Sequence, residues 1–255
     1  MRAVFAVLSL CSVSAAQHDG DIVLDINQAP AAHIRTNQFQ PGGILTPDVR
    51  VFVTTLGTAV ADFTDEPGFD SGPETFPFPG SIGFRVRKAL RVWDGTDFHL
   101  IPDERMEIAF GPLGPVLTPL TDELITGFTL SVGSNGQWHR HLEYTLGQPA
   151  DAGVYLLELE LYSTQATIGP SDPFWLIFNQ NSEAGDVDAA VEWVDDTYID
   201  PACRADWNGD GQGNSQDFFD FLTGFFADNA DFNIDGVTNS QDFFDFLSAF
   251  FDGCP

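Results

Sequence analysis

Two twelve-residue stretches place their oxygen-bearing side chains at the spacing that a hard divalent cation requires. In the first, Asp206, Asn208 and Asp210 occupy positions 1, 3 and 5, Gly211 stands at position 6, and Asp217 closes the loop at position 12. In the second, Asp231, Asn233, Asp235, Gly236 and Asp242 repeat the pattern 25 residues later. Calcium prefers six to eight oxygen ligands in a flexible shell, and a loop of this kind supplies them. The backbone carbonyl at position 7 comes from Gln212 and Val237, so those identities are free. Position 9 falls on Asn214 and Asn239, suited to ligation directly or through water. Mg²⁺ fits less well, because it dehydrates reluctantly and demands six short bonds. The expected ligand sets are therefore Asp206, Asn208, Asp210, Gln212, Asn214 and Asp217 for one Ca²⁺, and Asp231, Asn233, Asp235, Val237, Asn239 and Asp242 for a second.

The repeat extends past the loops. Asn214 to Leu222 recurs residue for residue as Asn239 to Leu247. Phe218, Phe221, Leu222 and Phe225 follow the i, i+3, i+4, i+7 rule of a helix face, and Phe243, Phe246, Leu247 and Phe250 copy it. Ser215 and Ser240 stand where a helix N-cap is expected. Phe219, Phe226, Phe244 and Phe251 widen the apolar surface. The stripe and this flank are expected to close one small shared core, the alternative being that some of the flank faces a partner.

Two loop-plus-helix units without a leading helix resemble a dockerin, the calcium-dependent module that docks extracellular proteins onto cohesin domains. Cys203 before the first loop, with Asp252-Gly253-Cys254-Pro255, resembles the GC-type subclass. The resemblance covers Cys203 to Pro255. It implies that positions 10 and 11, here Ser215 with Gln216 and Ser240 with Gln241, carry partner recognition. These helices hold Phe and Asp where cellulosomal dockerins have Leu and basic residues, so the acceptor is either cohesin-like or another surface scaffold protein.

Composition narrows the rest. The net charge is −28, from 38 acidic and 10 basic residues. Nucleic acid is excluded as a partner, because phosphate binding needs Lys and Arg. Arg2, the apolar run from Ala3 to Cys11 and Ser14-Ala15-Ala16 read as a signal peptide over residues 1–16. No stretch reaches the length of a membrane span. The expected location is extracellular or at the cell surface. After cleavage two cysteines remain, and an exported chain with Cys203 and Cys254 is expected to join them in a disulfide. Such a bond closes a loop worth about 4 kcal/mol on the chain-entropy model.

Residues 17–180 read as strand after strand: Asp21 to Ile26, Val49 to Thr55, Leu90 to Trp93, Arg105 to Phe110, Leu124 to Val132, Gln137 to Leu146, Val154 to Tyr162 and Phe174 to Phe178. Leu124 to Leu146 reads as a hairpin turned at Ser134-Asn135-Gly136. Val154 to Leu161 alternates, with Glu158 and Glu160 on a wet face. The fold class expected is mainly β, an antiparallel β-sandwich followed by a small all-α dockerin-like module with two calcium loops of EF-hand type. Residues 181–200 form an acidic helix and linker, the helix running at most from Asp188 to Tyr198. Residues 201–255 are the module.

The β domain offers weaker chemistry. His139 and His141 flank Arg140 on an expected strand, so both imidazoles share a face. No third ligand stands at a telling spacing, although His33 and His99 are available. Asp94, Asp97, Glu104, Glu107 and Glu143 are candidate carboxylates for glycoside hydrolysis, but none lies in a recognisable motif. Trp93, Trp138 and Trp175 suit either sugar stacking or a core. The Gln137 to Leu142 and Tyr155 to Leu159 stretches faintly resemble an uncharacterised bacterial secreted domain. The functional expectation is a secreted, non-catalytic protein anchored through two calcium ions. The alternative is a polysaccharide-acting enzyme or a carbohydrate-binding protein attached in the same way.

Overall fold

The computed structural model describes residues 20–29, 31–199, 205–208, 213–233 and 237–252. The expected signal peptide, the Cys203–Cys254 bond, and Asp210, Gln212 and Asp235 of the loops lie outside the described residues. The chain is mainly β, and no helix among the described residues is long and apolar enough to cross a membrane.

Three sheets surround the main core. The first runs β3 (Ile44–Pro47), β2 (His33–Gln40), β1 (Ile22–Asn27), β6 (Phe69–Ser71). The second runs β10 (Leu113–Leu117), β9 (Met106–Phe110), β12 (Glu143–Leu146), β5 (Phe63–Thr64). The largest runs β11 (Ile125–Ser131), β7 (Ser81–Val86), β13 (Gly153–Ser163), β14 (Phe174–Gln180), β4 (Val51–Thr55), with β8 (Arg91–Val92) also pairing β13. Most pairings are antiparallel, but β1–β6 and β14–β4 are parallel. Alternate residues of the strands point inward, so Ile22 and Leu24 meet Phe69, Phe174, Tyr144 and Leu157 in one buried cluster. Transfer of such side chains from water stabilises the fold by about 1.5–3 kcal/mol each before entropy is counted.

Several sequence expectations change here. Ser134 to Gly136 does form a turn: Gly133 N–H donates to the Gln137 carbonyl and Gly136 takes φ of +79°. The flanking strands nevertheless do not pair. β11 bonds to β7, whereas β12 bonds to β9 and β5. The turn is a crossing between sheets, since β11 lies in the largest sheet and β12 in the second. Gln137 to Leu142 is not a ladder strand; it touches its neighbour through one bridge, Phe69 to Arg140. β2 escaped the sequence reading because it is polar. Its buried Thr36 and Asn37 are held instead by hydrogen bonds, Thr36 Oγ1 to the Val49 carbonyl at 2.7 Å and Asn37 Nδ2 to the Val23 carbonyl at 3.0 Å.

The wet face expected on β13 is also covered. Val154 and Leu156 pack under α1 (Ala184–Val194), with Trp175, Ile177, Ala190 and Val194. The helix begins earlier than Asp188 and continues into one wider turn, Asp195–Ile199. In that turn Tyr198 stacks on Trp175, with ring centres 4.9 Å apart. Further along the same face Glu158 and Glu160 are buried, because arginines of β7 and the adjoining turn lie across them. Arg87 donates to Glu158 at 2.8 Å and to Glu160 at 2.7 Å, and Arg85 pairs with Glu160. A buried carboxylate is tolerable when it is paired and hydrogen-bonded in this way.

Candidate functional site

The two repeats fold into matching loop–helix units. α2 spans Ser215–Phe226 and α3 spans Ser240–Asp252. The N-cap is Asn214, one residue before the serine expected to serve. Asn214 is extended, and its Oδ1 accepts the Gln216 N–H at 2.8 Å. Asn239 Oδ1 likewise accepts the Gln241 N–H at 2.7 Å. Ser215 and Ser240 are thereby the first helical residues. Replacing Asn214 by Ala is expected to cost about 1 kcal/mol, and Asn239→Ala the same. Thermal unfolding of the full chain in EDTA, where no calcium ligand is lost, measures this.

The position-12 carboxylates organise each loop. Asp217 and Asp242 are fully buried. Asp217 Oδ1 accepts the Asn208 N–H at 3.1 Å, and its Oδ2 accepts the Asn214 N–H at 2.8 Å. Asp242 Oδ1 accepts from Asn233 at 3.0 Å, and Oδ2 from Asn239 at 2.7 Å. Each carboxylate thus ties positions 3 and 9 of its loop to the start of its helix. Asn208 Nδ2 also donates to Asp220, and Asn233 Nδ2 to Asp245, both at 3.3 Å. The amide oxygens of Asn208 and Asn233 are acceptors only, as a cation ligand must be.

Charge decides what these loops want. From Ala205 to Pro255 the sequence carries ten aspartates and no Lys, Arg or His. Two buried carboxylates therefore sit in a module of 201–255 whose only basic residue in the sequence is Arg204, before the first loop. Backbone N–H groups satisfy their hydrogen bonding but do not neutralise them, and an uncompensated buried charge costs several kcal/mol. An oxygen-only donor set of high negative charge fits Ca²⁺. Asp206, Asn208, Asn214 and Asp217 are the described residues that would hold one ion. Asp231, Asn233, Asn239, Asp242 and the carbonyl of Val237 would hold the other.

The helices meet across a pseudo-twofold axis. Phe221 and its repeat equivalent Phe246 stack at 4.0 Å with parallel planes. Phe218 lies 6.0 Å from Phe250, and the equivalent pair, Phe243 and Phe225, lies at 5.9 Å. Trp207 meets Phe221 edge-on at 5.1 Å, and Phe232 meets Phe246 at 5.5 Å. This pattern requires α2 and α3 to run antiparallel. The phenylalanines of the stripe close the core, whereas Leu222 and Leu247 are half-buried outside it and the flank does not join: Phe219, Phe226, Phe244 and Phe251 are exposed. Ser215, Gln216, Ser240 and Gln241 are exposed as well.

In the β domain the other candidates resolve differently. Trp138 and Trp175 are buried core residues, and Trp93 is half-buried against Phe98 and Trp193. Asp94 caps its own turn, accepting from Thr96 and Asp97, and these bonds hold its carboxyl below the usual range. Asp97 accepts from the His99 N–H, Glu104 from Asp151 and Glu143 from Gly111. His139 and His141 share a face, with Nε2 atoms 3.1 Å apart. The residue that joins them is Asp21, not His33 or His99. No spacing signal pointed to it, since 118 residues separate it from His139. Comparisons with protein-family models, with curated proteins and with solved structures find no match.

Proposed function

We propose that the protein is an exported β-sandwich carrying a two-site calcium module, and that the module attaches it to an extracellular or cell-surface scaffold of the cohesin-like kind. One observation carries this reading: Asp217 and Asp242 are fully buried in a module whose loops and helices, from Ala205 onward, hold ten aspartates and no basic residue, Arg204 standing just before them. Two bound Ca²⁺ ions supply the missing positive charge and lock each loop to its helix. Cation release leaves a small core facing strong self-repulsion, so attachment follows calcium concentration.

The scaffold contact falls on the exposed helix faces. Ser215 with Gln216, and Ser240 with Gln241, supply polar groups at the two helix starts. Phe219, Phe226, Phe244 and Phe251 supply apolar area beside them. Aromatic residues are enriched in the buried centres of protein interfaces, and four exposed phenylalanines on one small module suit that use.

Calorimetry of the full chain in calcium and then in EDTA tests the proposal. One transition is expected to rise strongly with calcium and a second to stay fixed. Each site contributes about 2.7 kcal/mol when calcium stands at a hundred times its dissociation constant. A melting profile indifferent to calcium defeats the reading.

A further inference from the structure

The start of β1, the turn leading into β6 and the Trp138–His141 segment converge on one point of the β domain. Ile22 N–H donates to the Gly68 carbonyl at 2.8 Å, and Phe69 and Arg140 exchange backbone bonds at 2.8 and 2.9 Å. This seam aims three side chains at each other. Asp21 Oδ2 stands 3.8 Å from His139 Nε2 and 3.9 Å from His141 Nε2, and the two nitrogens are 3.1 Å apart. The Asp21 side chain is only 4% exposed, and neither of its oxygens receives a hydrogen bond among the described residues. A buried carboxylate left in that condition costs free energy, so this Asp needs a cation.

We infer that Asp21, His139 and His141 form a binding site for a divalent transition-metal ion of the zinc class, separate from the calcium loops. The geometry fits the ion. A point equidistant from the three atoms lies about 2.1 Å from each, which is the length of a zinc–nitrogen or zinc–oxygen bond. Two imidazoles and one carboxylate suit zinc, copper or iron rather than Ca²⁺ or Mg²⁺, which select oxygen.

The surroundings are those of a supported ligand set. His141 Nδ1 lies 3.1 Å from the Asp65 carbonyl, which can only accept. Nδ1 therefore carries the proton, and the Nε2 lone pair points at the triad. Glu66 Oε1 stands 3.6 Å from the same nitrogen, and Asp70 Oδ1 stands 3.7 Å from His139 Nδ1. The Asp65 carbonyl holds the His141 ring as an outer-shell acceptor holds a metal ligand, while the two carboxylates, just beyond hydrogen-bond reach, add negative charge behind the remote nitrogens. Gly68 makes room for the His141 ring: a Cβ there would lie 2.5 Å from its Cε1. The histidine side chains are 35% and 24% exposed, so an ion can reach the cluster from solvent. Among the described residues three protein ligands converge, which is the protein ligand count of a catalytic-type zinc site.

The test uses the full chain, stripped with a chelator and returned to saturating calcium so that the loops hold their own ion. Zn²⁺ is then titrated against a chromophoric competitor. One tight equivalent is expected. His139→Gln and His141→Gln are each expected to weaken it by more than about 100-fold, and Asp70→Asn by about 10-fold. Co²⁺ in place of zinc should give the visible absorption of a four-coordinate site, and His141→Gln should abolish it. Near-UV circular dichroism checks that each variant is folded; Asp21→Asn serves if a histidine variant is not. No zinc uptake overturns the inference, and so does uptake unchanged in the histidine variants. Failure of the calcium reading is distinguishable, since zinc held by vacant loops would survive the histidine substitutions.

Discussion

Asp217→Asn combined with Asp242→Asn is expected to abolish the melting response of the module to calcium. Each substitution removes one of the two buried charges on which the proposed calcium binding depends. Each also turns an amide N–H toward a backbone N–H where a carboxylate oxygen now accepts: toward Asn208 or Asn214 in the first loop, toward Asn233 or Asn239 in the second. Loss of a direct ligand should exceed the 10- to 100-fold effect of a supporting residue, so affinity at each site is expected to fall by more than about 100-fold. At a calcium concentration that now stabilises each site by about 2.7 kcal/mol, the variant gains almost nothing. The comparison to make is the shift of the calcium-sensitive transition between EDTA and calcium, in the wild type and the double variant. A variant that still rises with calcium would show that these carboxylates are not ligands. The zinc equivalent assigned to Asp21, His139 and His141 should be unaffected, which separates the two sites in one preparation.

Phe221→Ala is expected to have the largest effect on the module's stability. Its ring is fully buried and stacks on Phe246 at 4.0 Å, with Trp207 at 5.1 Å and Phe232 at 6.1 Å around it. Truncating a buried phenylalanine costs about 3–5 kcal/mol. A core of this size rarely provides more than about 3–5 kcal/mol in total. The module should therefore be unfolded without calcium and marginal with it. The pseudo-twofold relation makes a sharper demand: Phe246→Ala should cost nearly as much, because it removes the other half of the same stack. Phe226→Ala, at a site 82% exposed, should stay within about 0.5 kcal/mol. Calorimetry of the three variants in calcium reads all of this, with the β-domain transition as an internal reference. Unequal losses for Phe221 and Phe246 would mean that the paired rings are not equivalent.

The two loop–helix units were legible because their pattern is local. Ligands two residues apart, a glycine for the turn and an aspartate at the end are a pattern within twelve residues, and duplication repeated it. The helix after each loop was legible from the phenylalanine period. The cap was misplaced by one residue because Asn and Ser are both good caps, and only the backbone geometry chooses between them. The fate of the flanking phenylalanines was not legible, since a stripe wider than one seam says nothing about how many neighbours the helix has.

The β domain divides along the same line. Apolar strands such as β13 and β14 stood out, and the mainly β character followed from them. β2 did not, because its buried Thr36 and Asn37 depend on hydrogen-bond partners 13 and 14 residues away. The Ser134–Gly136 turn was readable, whereas its flanks go to different sheets. Period-2 geometry put His139 and His141 on one face. Asp21 reached them only through the pairing of β1 with β6 and the bridge from Phe69 to Arg140.

By itself, then, the sequence determined whatever short range controls: the oxygen donors of two loops, the helices behind them, the scarcity of positive charge and the strand-rich character of the larger domain. The tertiary structure decided which distant groups meet. It turned two repeats into a symmetric pair with one aromatic core, covered a face of β13 that alternation alone left wet, and carried a buried aspartate to two histidines. The physical reason is that local preference is set by neighbours along the chain. Burial and charge compensation are settled only when segments far apart in sequence compete for the same interior.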